Sequence, residues 1–292
     1  SIWPRRLRSS AVGNAVLGAL MTAQPDARWQ RDPALAARIV SAAILAPVSL
    51  FLLYSGGQAF TAYVAAFAAA MAWEWLRMCE PNAPTRSFAV MAVASAGAIL
   101  FVGDADIFWA IAWPVAGAIG VAFAGDLPMR HRWRGPFGLL YVAMTAGALV
   151  WIRDLPDGLT RVGFLMCVVW SADIFAYFAG TWLGGPKLLP KVSPKKTWAG
   201  FAGGMLVGTL AGGLYASLVG MALPSAVALA ALLALASVLG DLLMSLFKRG
   251  FGVKDSGHII PGHGGILDRV DALMLATATA LVSQLLLPGL WS

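Results

Sequence analysis

The chain has 292 residues, of which 59% are hydrophobic and 12% charged, with a mean hydropathy of +0.75 and a formal net charge of +7. A soluble domain carries roughly a quarter charged residues, so this composition excludes a soluble globular protein and indicates a polytopic membrane protein. Three histidines without ligand spacing argue against a zinc site, and Cys79 and Cys167, which form no CxxC pair, read as small core residues.

Residues 1–34 read as a cytoplasmic leader with an amphipathic piece at the membrane surface. The stretch "SIWPRRLRSS" is basic, and "AVGNAVLGALM" is about half the length of a span. Met21 is a candidate start. Beyond the leader, runs of about 17–25 apolar residues predict about nine transmembrane helices. They cover 35–54, 58–77, 87–103, 107–124, 136–152, 162–183, 199–219, 226–247 and 271–289. The fold class is all-α, an integral helical bundle. An N-terminal set of helices fills 35–153, and a C-terminal region, 154–292, holds two long polar loops at 184–198 and 248–270. "GFAGGMLVG" suits close helix–helix packing.

Charge sets the predicted orientation. With the N-terminus inside, only Arg153 and Arg161 of the 21 Lys and Arg residues fall on outer segments. The other nineteen are cytoplasmic, an asymmetry that places the N-terminus inside, the C-terminus outside and both polar loops in the cytoplasm. The same distribution accounts for the net charge without a nucleic-acid partner.

Ionisable residues within spans are functional candidates. Glu74, in "AWEWLRM", is read as structural: it lies near an inner helix end and would reach the interface or pair with Arg77 three residues on. Asp173 lies about ten residues before the inner end of its span and needs a cation, a partner or a proton. The following loop, "GPKLLPKVSPKKTWAGFAGG", offers cations, or else holds acidic lipid headgroups. Within it, Ser193-Pro194 reads as a helix start, Ser as N-cap and Pro at the first helical position. Asp241, Ser245 and Lys248 or Arg249 share one helix face, as do Asp268 and Asp271. Between these pairs runs a glycine-rich loop that allows unusual backbone conformations and close approaches.

Clustered carboxylates bind a hard cation such as Mg²⁺ together with phosphate oxygens. Lys and Arg neutralise polyphosphate charge, and glycine-rich backbone and helix N-termini donate N–H groups to phosphates. That combination describes phosphoryl or nucleotidyl transfer. No GxxxxGK[ST] is present, so the chain is not a P-loop ATPase.

"SLFKRGFGVKDSGHIIPGHGGILDRVD", Ser245 to Asp271, resembles the signature of the phosphatidate cytidylyltransferases (CDP-diacylglycerol synthases), with every fixed element at its spacing. Asp173, Ala176-Tyr177, Gly180 and "KVSPKKTWAGFAGG" resemble the upstream family elements, with Ala199 standing where many members carry Glu. The resemblance covers roughly 160–271. It implies transfer of CMP from CTP to phosphatidate with Mg²⁺, giving CDP-diacylglycerol and pyrophosphate in phospholipid biosynthesis; a second cation is expected beside it, because two metals stabilise attacking and leaving oxygens together. It also implies a homodimer in the bacterial-type inner membrane, its active site facing the cytoplasm among membrane lipids.

On this resemblance, Asp241 and Asp268 are the foremost metal ligands, with Asp173 and Asp271 beside them. Lys248, Arg249, Lys254 and Arg269 would hold the triphosphate or the lipid phosphate, joined by Lys195 and Lys196. Ser193 and Ser245 would donate to phosphate, His263 to pyrophosphate or to loop order, and Gly264 and Gly265 would offer backbone. Two other readings are a CTP-dependent polyprenol kinase, which would release CDP, and an ion-coupled transporter using Asp173 and Asp241. The absence of DGxxAR disfavours an enzyme that consumes CDP-diacylglycerol.

Overall fold

The computed structural model describes residues 33–104, 106–125, 128–260 and 264–291. The leader reading for 1–34, including Met21, therefore lies outside the described residues except at its last two positions. Helices run α1 Pro33–Ser55, α2 Gly57–Cys79, α3 Thr85–Gly103, α4 Ile107–Ala124, α5 Arg134–Asp154 and α6 Gly158–Trp182. They continue as α7 Trp198–Val219, α8 Leu223–Gly250 and α9 Leu267–Leu286. Eight of these are long and apolar enough to cross a membrane, and α1 carries a shorter apolar stretch, Ile39–Ser55. Each predicted span corresponds to one helix, because about twenty apolar residues in lipid satisfy their backbone groups only as a helix.

The loop after α6 departs from the expectation. It forms a two-stranded antiparallel hairpin, β1 Lys187–Leu189 with β2 Ser193–Thr197, in which Lys187 pairs with Thr197 and Leu189 with Ser193. Ser193 is thus a strand residue and not an N-cap. The cap of α7 is Thr197, whose Oγ1 accepts the Gly200 N–H at 3.1 Å. Pro194 holds its own φ near the extended range and lacks an N–H, so it fits this short exposed strand.

Helices α6 and α7 make the closest seam in the bundle. Gly200, Gly204, Gly208 and Gly212 recur every fourth residue on α7 and are buried. A Cβ at Gly204 would stand 2.8 Å from the Ala172 carbonyl oxygen of α6, so only glycine permits this approach. The seam carries Asp173 on α6 to within reach of α8. The opposite half of the bundle is closed by α2 against α5 and α9. There the fully buried Trp75 donates its indole N–H to the Arg134 carbonyl at 2.8 Å and packs edge-on to Phe247 and Phe251. Consecutive helices alternate direction, so the hairpin and the 251–266 loop lie at the same end of the bundle.

Candidate active site

At that end is a cavity of about 650 Å³, lined from α6, the hairpin, α7, α8 and α9. Helix α6 contributes Asp173, Ala176, Tyr177, Gly180 and Thr181. Their spacing is that of one helix face, so the aspartate and the tyrosine a turn later point the same way. The hairpin contributes Lys187, Lys195 and Lys196, helix α8 Val238 and Asp241, and helix α9 Asp268, Arg269 and Asp271. Four carboxylates and four cations from segments up to about a hundred residues apart therefore face one space.

The charges are organised in pairs. Lys196 Nζ lies 2.6 Å from Asp241 Oδ2. The Ser245 hydroxyl is 3.4 Å from Asp241 Oδ1, a weak donor contact one turn along α8. The Ser237 hydroxyl donates to Asp173 Oδ1 at 3.3 Å. Lys248 Nζ donates to Asp268 Oδ1 at 2.8 Å and stands 3.9 Å from Asp271 Oδ2, while the second Asp268 oxygen accepts the Ser256 N–H at 2.8 Å. Asp173, Asp241 and Asp271 act on one another electrostatically across the cavity.

Of the residues expected from sequence, the cavity unites Asp173, Asp241, Asp268, Asp271, Lys195, Lys196 and Arg269. Others serve elsewhere. Lys248 is buried, and its ammonium lies between Asp268 and Asp271. Arg249 is exposed and donates to the Val253 carbonyl, and Lys254 is exposed on the loop. Neither is part of the cavity lining: the last turn of α8 points Arg249 outward, and Lys254 stands exposed on the loop beyond it. Ser193 and Ser245 are likewise outside the lining. Gly264, at φ +87°, exchanges backbone hydrogen bonds with Ile260 and so closes a turn with its N–H. Gly265 is buried against Ser256 and Glu74. His263 lies outside the described residues.

Two features escaped the sequence reading. Lys187, Tyr177 and Thr181 line the cavity; the helical spacing from Asp173 marks Tyr177, whereas nothing local marks Lys187. Glu74 does not pair with Arg77, whose guanidinium sits 5.3 Å from the centroid of the Trp73 ring. The Glu74 carboxylate turns inward instead and accepts from Ile266 N, Leu267 N and Ser256 Oγ.

The donor set fits a hard cation that shares its coordination with a phosphate. It consists of carboxylate oxygens, and among the described residues no three His, Cys, Asp or Glu side chains converge to hold an ion alone. Mg²⁺ is ordinarily bound by one or two carboxylates plus waters and substrate phosphates, which is what Asp173, Asp241 and Asp271 around an open cavity can supply.

The fold defines a polytopic helical membrane protein with a charged cavity at one end of its bundle. Residues 36–286 match the Cytidylyltransferase family. A Brucella abortus protein named phosphatidate cytidylyltransferase is 41% identical over 247 residues, 82% of this chain and 90% of its own. One of the same name from Pseudomonas aeruginosa is 37% identical over 255 residues, 82% of this chain and 93% of its own. A Bacillus subtilis protein so named is 41% identical over 138 residues, 46% of this chain and 51% of its own. The chain belongs to the cytidylyltransferase family and is an enzyme of that family.

Proposed function

We propose that this enzyme transfers CMP from CTP to phosphatidate, producing CDP-diacylglycerol and pyrophosphate at the cytoplasmic face of the inner membrane. The observation that carries this reading is the cavity in which lysines and an arginine from the hairpin and α9 face carboxylates from α6, α8 and α9. A nucleotide and a lipid headgroup, both anionic, need cations to meet, and the acids need a role that cations alone do not give them.

In the transfer, a phosphate oxygen of phosphatidate attacks the α-phosphorus of CTP. A new P–O bond forms, the bond from the α-phosphorus to the bridging oxygen breaks, and pyrophosphate leaves with that electron pair. Lys187, Lys195, Lys196 and Arg269 offset the charge of the triphosphate and of the lipid phosphate, and hold the two reactants in line. Phosphatidate is itself the nucleophile, so no covalent enzyme intermediate is needed. Mg²⁺, alone or with a second cation, would be held by Asp241, Asp271 and Asp173, with Asp268 beside them, and would supply charge neutralisation of the phosphates. Lys248 holds Asp268 and Asp271 in place, which is a different role from direct phosphate binding. The charge asymmetry of the loops supports a cytoplasmic cavity.

The test is conversion of labelled CTP to a lipid-soluble product by Asp241→Asn and Asp271→Asn, purified in detergent. Turnover should fall by two or more orders of magnitude, on the order of what a lost electrostatic contact to the transition state costs. Near-wild-type turnover at saturating Mg²⁺ would remove the carboxylates from the mechanism. Release of CDP in place of pyrophosphate would replace nucleotidyl transfer with a kinase reaction.

A further inference from the structure

Glu74 lies outside the cavity lining, and the transfer described above does not use it. We propose that Glu74 is the positioning residue of the 251–266 loop. From α2 it grips Ser256 near one side of that loop and the start of α9 at the other, and so sets where Asp268 and Asp271 face the cavity. The proposal rests on the reading above for the reaction that these aspartates serve.

Three observations converge on it. First, Glu74 is 0% exposed, and its carboxylate accepts from both sides of the loop, with both oxygens on the start of α9 and one of them also on Ser256. Oε1 accepts the Ile266 N–H at 2.9 Å; Oε2 accepts the Leu267 N–H at 2.9 Å and the Ser256 hydroxyl at 3.3 Å. Ser256 in turn donates its backbone N–H to Asp268, one residue past Leu267. A short chain of hydrogen bonds thus links a buried carboxylate of α2 to a carboxylate of the cavity. Second, α9 has no side-chain cap of its own at Ile266. The N–H groups at its start need an acceptor, and the helix dipole favours a negative one. Glu74 acts as that cap from another helix, about 190 residues away in sequence. Third, the loop is built around this carboxylate. A Cβ on Gly257 would stand 2.9 Å from Glu74 Oε1, and one on Gly265 would stand 2.9 Å from Oε2, both closer than side chains tolerate. The support is rigid, since the neighbouring Trp75 is fully buried and hydrogen-bonded to α5.

A carboxylate is required in this place and an amide is not equivalent. Both oxygens act as acceptors, one facing Ile266 N–H and the other Leu267 N–H. Glutamine has one acceptor oxygen, and its NH₂ would oppose a backbone N–H in either orientation.

Full-length Glu74→Gln and Gly257→Ala test this, with hydrogen exchange at Ser256, Ile266 and Leu267 read alongside kcat and KM per folded molecule. Exchange should quicken at these amides and not in α6–α8. In the same variants kcat should fall by about tenfold or more while KM for phosphatidate stays within about threefold. A purely structural role would lower the folded fraction and the melting temperature and leave kcat of the folded enzyme unchanged. A kcat within about threefold of wild type in a folded variant therefore overturns the proposal, whatever the exchange. Should Glu74→Gln fail to fold, Gly257→Ala, which keeps the carboxylate but crowds it, decides the matter alone. If the wild type forms no CDP-diacylglycerol, the reaction assignment fails, and the exchange pattern still tests the grip of Glu74 on the loop.

Discussion

Lys248→Met isolates what the buried cation does. Lys248 is 9% exposed, and its ammonium stands 2.8 Å from Asp268 and 3.9 Å from Asp271. At an effective dielectric constant of about 20, those separations correspond to attractions of about 6 and 4 kcal/mol. Desolvation of the ammonium and of both acids offsets much of this. The net cost of removing one member of such a buried set is about 3–5 kcal/mol, because two carboxylates are left facing each other without a cation. Methionine retains the unbranched stem, so packing along α8 is largely kept. The assay is a double-mutant cycle in detergent with Asp268→Asn, read by thermal unfolding and by turnover. Asparagine still accepts the Ser256 N–H, so the double variant loses the charge conflict but keeps the loop contact. Its destabilisation should fall short of the sum of the single losses by about 1.5 kcal/mol or more. Strict additivity would refute the claim that Lys248 acts through Asp268.

Thr197→Val keeps the shape of the α7 cap and removes its acceptor, so it should cost about 1 kcal/mol in thermal unfolding, whereas Ser193→Ala should cost much less. Single reactive cysteines introduced at Lys191 and at Asp157 should label from opposite sides of the membrane, Lys191 from the cytoplasm; labelling of both from one side would break the predicted topology.

The helices were legible in the sequence because lipid leaves an apolar run of about twenty residues only one way to satisfy its backbone. The 3.6-residue period also showed which residues share a face: Asp241 with Ser245, Asp268 with Asp271. The motif from Ser245 to Asp271 pointed to the family that residues 36–286 match. The hairpin was hidden because its strands are three and five residues long and bear mostly lysine and leucine, with no hydrophobic alternation to mark them.

Pairing was the part that only tertiary structure decided. Periodicity specifies the direction of a side chain from its own helix, but not which helix stands opposite. Lys196 meets Asp241 across 45 positions, and Glu74 meets Leu267 across 193. A sequence places Glu74 three residues from Arg77 and offers that pair as the nearest solution. In the fold, a helix terminus with unsatisfied N–H groups lies closer to the carboxylate and is buried with it, and a buried acid takes the donors that water cannot replace. For the same reason Lys248 and Arg249, adjacent in the chain, part company. One turns inward between two aspartates and the other outward to the loop, a distinction made by the packing of α8 against α9.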